Sequence, residues 1–94
     1  MNEFLLELYV AKTNCAAITE TAARFSHVAA ELTAEGKPVR LVRSIFVPEE
    51  ETCFLLVSAA AVETVHDAAR RAALPVEHVA ETAADIENPA ASAS

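Results

Sequence analysis

Five consecutive apolar residues, Cys53-Phe54-Leu55-Leu56-Val57, constrain this chain more than any other feature. The run is short, follows the turn signal Pro48-Glu49-Glu50-Glu51, and reads as a strand over Thr52 to Ser58. Successive side chains of a strand point to opposite faces of its sheet, so this run places apolar groups on both. The preceding segment, Val39 to Val47, is rich in β-branched and aromatic residues and ends Ile45-Phe46-Val47, again apolar whatever the register. Two such strands form a hairpin whose sheet needs a cover on each face. A chain of 94 residues has room for one core, so its own helices can cover one face only.

The remaining elements follow from periodicity. Glu3 to Val10 alternates, with Phe4, Leu6, Leu8 and Val10 on one side and Glu3, Leu5, Glu7 and Tyr9 on the other, as in a half-buried strand. Thr13 or Asn14 is positioned to cap a helix, in which Ile18, Ala22, Phe25, Ala29 and Leu32 form the apolar stripe before Gly36 stops it. Ala59 to Ala73 predicts a second helix, with Val62, Val65, Ala69 and Ala72 inward and Arg70 and Arg71 in the last turn, where cations suit the dipole. Leu74-Pro75 ends it, and Val76 to about Ala83 alternates as a fourth strand. The order β-α-β-β-α-β with right-handed crossovers predicts a ferredoxin-like α+β domain. Its four-stranded antiparallel sheet has strand order 4-1-3-2 and carries both helices on one face. We assign residues 1–86 to that single domain and 87–94, which lack periodicity and include the small-residue run from Asn88 to Ser94, to a disordered tail.

The other face asks for a partner. A soluble monomer rarely exposes an apolar patch of this extent, and a two-fold copy covers it with an identical one. A homodimer is therefore expected, the alternatives being the carboxy-terminal tail or a small ligand. Fourteen acidic against seven basic residues give a formal charge of −7, which disfavours nucleic acid and anionic membranes as partners. The first residues carry no positive region and Glu7 interrupts the apolar run behind them, so neither a signal peptide nor a membrane span is expected, and a cytoplasmic location is. Cys15 and Cys53 lack C-x-x-C spacing and are expected to be small buried thiols.

Three histidines are present. His27 and His66 fall on helices, with Glu31 and Arg70 four residues on, and are expected on solvated faces. His78 differs. If Val79 faces the helices, His78 points to the opposite face, where strand one brings Glu7 or Tyr9 alongside. A carboxylate, a phenol and an imidazole at the margin of an apolar, partner-covered face can orient a small ligand, ligate a transition metal through His78 and Glu7, or transfer protons. A hydrogen-bonded pair at an interface rim is the plainer alternative. Arg40 and Arg43, three apart, cannot share a face in a regular strand. Either they serve Glu residues of a partner, or a bulge turns Arg43 outward. A single glycine excludes a Gly-rich phosphate loop, and no Ser/His/Asp or Cys/His arrangement is present, so no catalytic residue is assigned and a non-enzymatic role is expected.

The stretches Val39-Arg40-Leu41-Val42-Arg43-Ser44-Ile45-Phe46-Val47-Pro48 and Arg70-Arg71-Ala72-Ala73-Leu74-Pro75, with Glu31 to Lys37 and Glu51-Thr52-Cys53-Phe54, resemble a family of small actinobacterial domains of unknown function. One member of that family is described as a nickel-binding protein. The resemblance spans roughly residues 3 to 83 and implies a ferredoxin-like dimer that binds nickel, though no ligand motif carries over residue by residue. Ala73 stands where the family often has glycine, a departure that bears on the helix end. The reading is thus a homodimeric binding protein holding nickel, another divalent metal or a small ligand near Glu7, Tyr9 and His78. Its rivals are a dimeric α+β barrel enzyme of oxygenase, isomerase or lyase type acting on a small apolar molecule, and a pure interaction module.

Overall fold

A computed structural model describes residues 1–82. The elements run β1 (Asn2–Tyr9), α1 (Ala16–Ala34), β2 (Val39–Val47), a 3₁₀ turn (Pro48–Glu50), β3 (Thr52–Ala59), α2 (Val62–Arg71) and β4 (Val76–Glu81). The four strands form one antiparallel sheet in the order β2-β3-β1-β4, which is the expected 4-1-3-2 read from the other edge. The ferredoxin-like arrangement is therefore the fold. Ala83 and the assigned domain end and tail lie outside the described residues.

The core fills one side of the sheet. Phe4, Leu6 and Leu8 of β1, Cys53, Leu55 and Val57 of β3, and Val39 of β2 meet Phe25, Val28, Ala29 and Leu32 of α1 and Val65, Ala68, Ala69 and Ala72 at α2. Alternation supplies the sheet side of this list and helical spacing the other. Val62, expected inward, is exposed: α2 starts only there, because β3 runs on to Ala59 and leaves Val62 in the first helical turn.

Local chemistry corrects the expected helix start. Neither Thr13 nor Asn14 caps α1; Cys15 occupies the cap position, no side chain caps the free N–H groups, and the Cys15 thiol donates to the Lys12 carbonyl. Cys15 is consequently exposed rather than buried, whereas Cys53 is in the core as expected. Burial pushes the Cys53 thiol up, since the thiolate would lose its hydration.

Both helices end in one geometry. In α1 the Lys37 N–H donates to the Leu32 carbonyl at 2.9 Å and the Gly36 N–H to Thr33 at 3.1 Å, with Gly36 at φ 89°. In α2 the Leu74 N–H donates to Ala69 at 3.0 Å and the Ala73 N–H to Arg70 at 3.1 Å, with Ala73 at φ 55°. These are Schellman motifs, which satisfy the last carbonyls by turning one residue left-handed. The helix ends are also tied to each other: Arg71 donates to both carboxylate oxygens of Glu35, at 2.8 and 3.0 Å, and those hydrogen bonds hold the Glu35 carboxyl below the ordinary carboxylate value.

Candidate functional site

The sheet face away from the helices is built in rows, because strand register decides which side chains become neighbours. Glu7 of β1 lies opposite His78 of β4 and opposite Phe54 of β3, and Phe54 lies opposite Ile45 of β2, giving the row His78, Glu7, Phe54, Ile45. The next row is Ala80, Leu5, Leu56, Arg43, and the one beyond it Glu3, Ser58, Arg40. At the other end Tyr9 opposes Thr52, which opposes Val47. The centre is apolar, with Leu5, Phe54 and Leu56 half-buried and Ile45 42% exposed. Cys53, Leu55, Val57 and Phe46 belong to the helix side, so the apolar runs divide between the two faces as alternation requires.

The expected polar trio is brought together only in part. Glu7 and His78 are cross-strand partners, but among the described residues no hydrogen bond or ion pair joins them, and His78 is exposed at the β4 edge. Tyr9 shares their face one row further along β1, where its hydroxyl donates to Glu51 Oε2 at 3.4 Å and the Lys12 N–H donates to the same oxygen at 3.0 Å. Glu51, at φ 49°, closes the turn into β3 and so aims its carboxylate at the end of β1. The nearby carboxylate charge, followed by burial and the hydrogen bond, raises the Tyr9 phenol above its ordinary value, because phenolate would form beside an anion. Glu51 was hidden in an acidic triplet that reads as a solvated turn, and nothing in the sequence distinguishes it from Glu49 or Glu50.

His27 and His66 are exposed on helices, and His27 Nε2 lies 3.6 Å from Glu31 Oε2, the expected solvated pairing. Arg70 pairs with Asp67 rather than serving His66.

Arg40 and Arg43 do share a face. The β2–β3 register shifts between Leu41 and Arg43: Leu41 opposes Val57, Arg43 opposes Leu56, and Val42 is the extra residue of a bulge. Arg40 opposes Ser58 and Arg43 opposes Leu56, so both guanidiniums stand on the open face at the β2 margin. The odd spacing of the two arginines was the available signal.

A divalent transition metal needs about four or more donors. Glu7 and His78 supply two on one protomer, and among the described residues no group of three or more His, Cys, Asp or Glu side chains gathers where an ion could be held. Concavities open to solvent lie elsewhere, one of about 470 Å³ between α1 and the end of α2 beside Arg24, His27 and Arg71, another of about 260 Å³ beside Tyr9, Asn14 and Pro75. No helix among the described residues is long and apolar enough to cross a membrane.

The fold and this face define a ferredoxin-like α+β domain with a mixed apolar and charged open sheet. No protein-family profile matches the sequence, and no curated protein matches it. The structure is similar to the crystal structure of SCO4226 from Streptomyces coelicolor A3(2), with a TM-score of 0.75 at 13% identity, covering 89% of this chain and 99% of that one. At that identity the likeness shows the fold alone.

Proposed function

We propose that the protein is a homodimeric binding protein in which the open sheet face is closed by a second copy and small-ligand recognition takes place where the two faces meet, at Glu7 and His78. The observation that carries this reading is the central patch of Leu5, Phe54, Leu56 and Ile45, continuous across three strands on the face that neither α1 nor α2 covers. Patches of this kind on small domains mark association surfaces. Among the described residues its rows place Arg40 and Arg43 across β3 from Glu3 and Glu7, so on a chain whose net charge is −7 the face carries charges of both signs for a copy to meet.

For metal binding, the implication of the family resemblance, a face-to-face copy would add its own Glu7 and His78 to the two donors that register sets opposite each other in one protomer. An enzyme would need an enclosed cavity with converging polar groups, and the interaction module differs from the binding protein in having none. Sedimentation equilibrium at micromolar concentration tests the dimer. Twice the 10.0 kDa protomer mass is expected, and a monomer refutes the reading. Calorimetric titration with nickel, zinc and cobalt tests the metal. Binding at one ion per dimer that disappears in His78→Ala supports it, and stoichiometry unchanged in His78→Ala removes His78 as a ligand.

A further inference from the structure

The bulge at Val42 sets two arginines at the β2 edge of the open face, across β3 from two glutamates of the central strand β1. Arg40 and Arg43 stand on β2 at one edge, and Glu3 and Glu7 stand on β1, two strands away. Two of the seven basic residues are thus set on the face that carries Glu3 and Glu7. Of the other five cations, three are engaged, Arg70 with Asp67, Arg71 with Glu35, and Lys37 with Asp67 at 3.9 Å. Among the described residues Arg40, Arg43, Glu3 and Glu7 have no ion-pair partner. Two strand spacings, roughly 9–10 Å, separate β2 from β1, and among the described residues no ion pair joins the two sets within one protomer.

A second copy resolves this in one orientation. Sheets stacked face to face about 10 Å apart are related by a two-fold axis lying in the plane between them, and the two directions that keep the strands of the copies aligned rather than crossed are along the strands and across them. Across the strands, β2 lies over β2 of the copy and brings arginine margins together. Along the strands, the sheet order β2-β3-β1-β4 is reversed above itself, so β2 lies over β4 of the copy and β3 over β1. Rows keep their height. Arg43 then passes over the small Ala80 of the copy toward Glu3 and Glu7 on the adjacent β1, while Leu5 and Leu56 of the two copies stack at the centre. The two-fold axis repeats the arrangement on the other side.

We infer that the protein dimerises about an axis parallel to its strands, with Arg40 and Arg43 of each copy paired to Glu3 and Glu7 of the other. The pairing makes association salt-dependent and restricts the partner to a surface with this charge pattern. The inference rests on the dimer proposed above and adds its orientation and its specificity.

The test uses two charge-reversed chains, Arg40→Glu/Arg43→Glu and Glu3→Arg/Glu7→Arg, each checked for fold by far-ultraviolet circular dichroism. Alone, each is expected to have its dimer dissociation constant raised roughly 100-fold, because like charges now face each other. Mixed in equal amounts, they are expected to form a heterodimer of about twice the 10.0 kDa protomer mass, since every cross-copy pair is again of opposite sign. Variants that dimerise alone as the unmodified chain does, or a mixture that stays monomeric, overturn the pairing while leaving a dimer standing. An unmodified chain that is itself monomeric overturns the dimer and the pairing together. If a reversed chain loses its fold, Arg43→Gln and Glu7→Gln replace it in a double-mutant cycle. Coupling supports the pair and strict additivity overturns it.

Discussion

Ala73 is a helix-ending residue in a conformation that suits glycine, and replacing it should make the protein more stable. Its φ of 55° lies in the left-handed region, and the two hydrogen bonds of the α2 terminus depend on its staying there. An alanine held left-handed costs roughly 1–2 kcal/mol, which Ala73→Gly removes. Against this, glycine gives the unfolded chain extra freedom worth about 0.4–1 kcal/mol. The difference leaves a net stabilisation of about 0.8 kcal/mol, or roughly 3–6 °C in Tm for a domain of this size. The α1 terminus supplies the reciprocal. Gly36 has the same role at φ 89°, and a Cβ built there meets nothing within 4 Å, so Gly36→Ala reports backbone conformation without a clash. It should lose about the amount Ala73→Gly gains, and the double variant measures how far the Arg71–Glu35 link couples the two helix ends. Urea unfolding at fixed protomer concentration reads all three, with the slope unchanged. A less stable Ala73→Gly, or a Gly36→Ala that is neutral or stabilising, would refute the reasoning.

Leu55 and Leu56 are neighbours in sequence with opposite fates, one in the core and one on the open face. Leu55→Ala should cost about 2–5 kcal/mol in urea unfolding. Leu56→Ala should leave the fold largely intact and weaken dimerisation in sedimentation, and equal losses of fold stability would contradict the assignment of faces. Tyr9 is the single tyrosine and there is no tryptophan, so absorbance at 295 nm titrates it cleanly. Glu51→Gln should lower its phenol toward the ordinary value. Because the folded phenol titrates above the unfolded one, its contribution to stability is complete below the unfolded value and is lost as pH rises through the folded one. Cys15 should react at once with a thiol reagent, whereas the enclosed Cys53, with its raised pKa, should react only at the rate of unfolding. Simultaneous labelling of both would place Cys53 outside the core.

The sequence by itself determined the elements, their order and the two-sided sheet. Alternation in Glu3 to Val10, four-and-three spacing from Ile18 to Leu32, and the unbroken run Cys53 to Val57 act over a few residues, where backbone geometry alone decides which side chains share a face. With four strands and two crossovers, handedness leaves one strand order. Tertiary structure decided whatever depended on register or on partners distant in sequence. Glu7 meets His78 because β4 pairs with β1 at that offset. The Tyr9 hydroxyl donates to Glu51, 42 residues on, a partner that no local pattern announces. Cys15 reaches solvent because it, rather than Thr13 or Asn14, takes the cap position. The largest difference is a single extra residue, Val42. One bulge reverses the alternation beyond it, and two arginines that a regular strand would separate stand together on the face left uncovered by the helices.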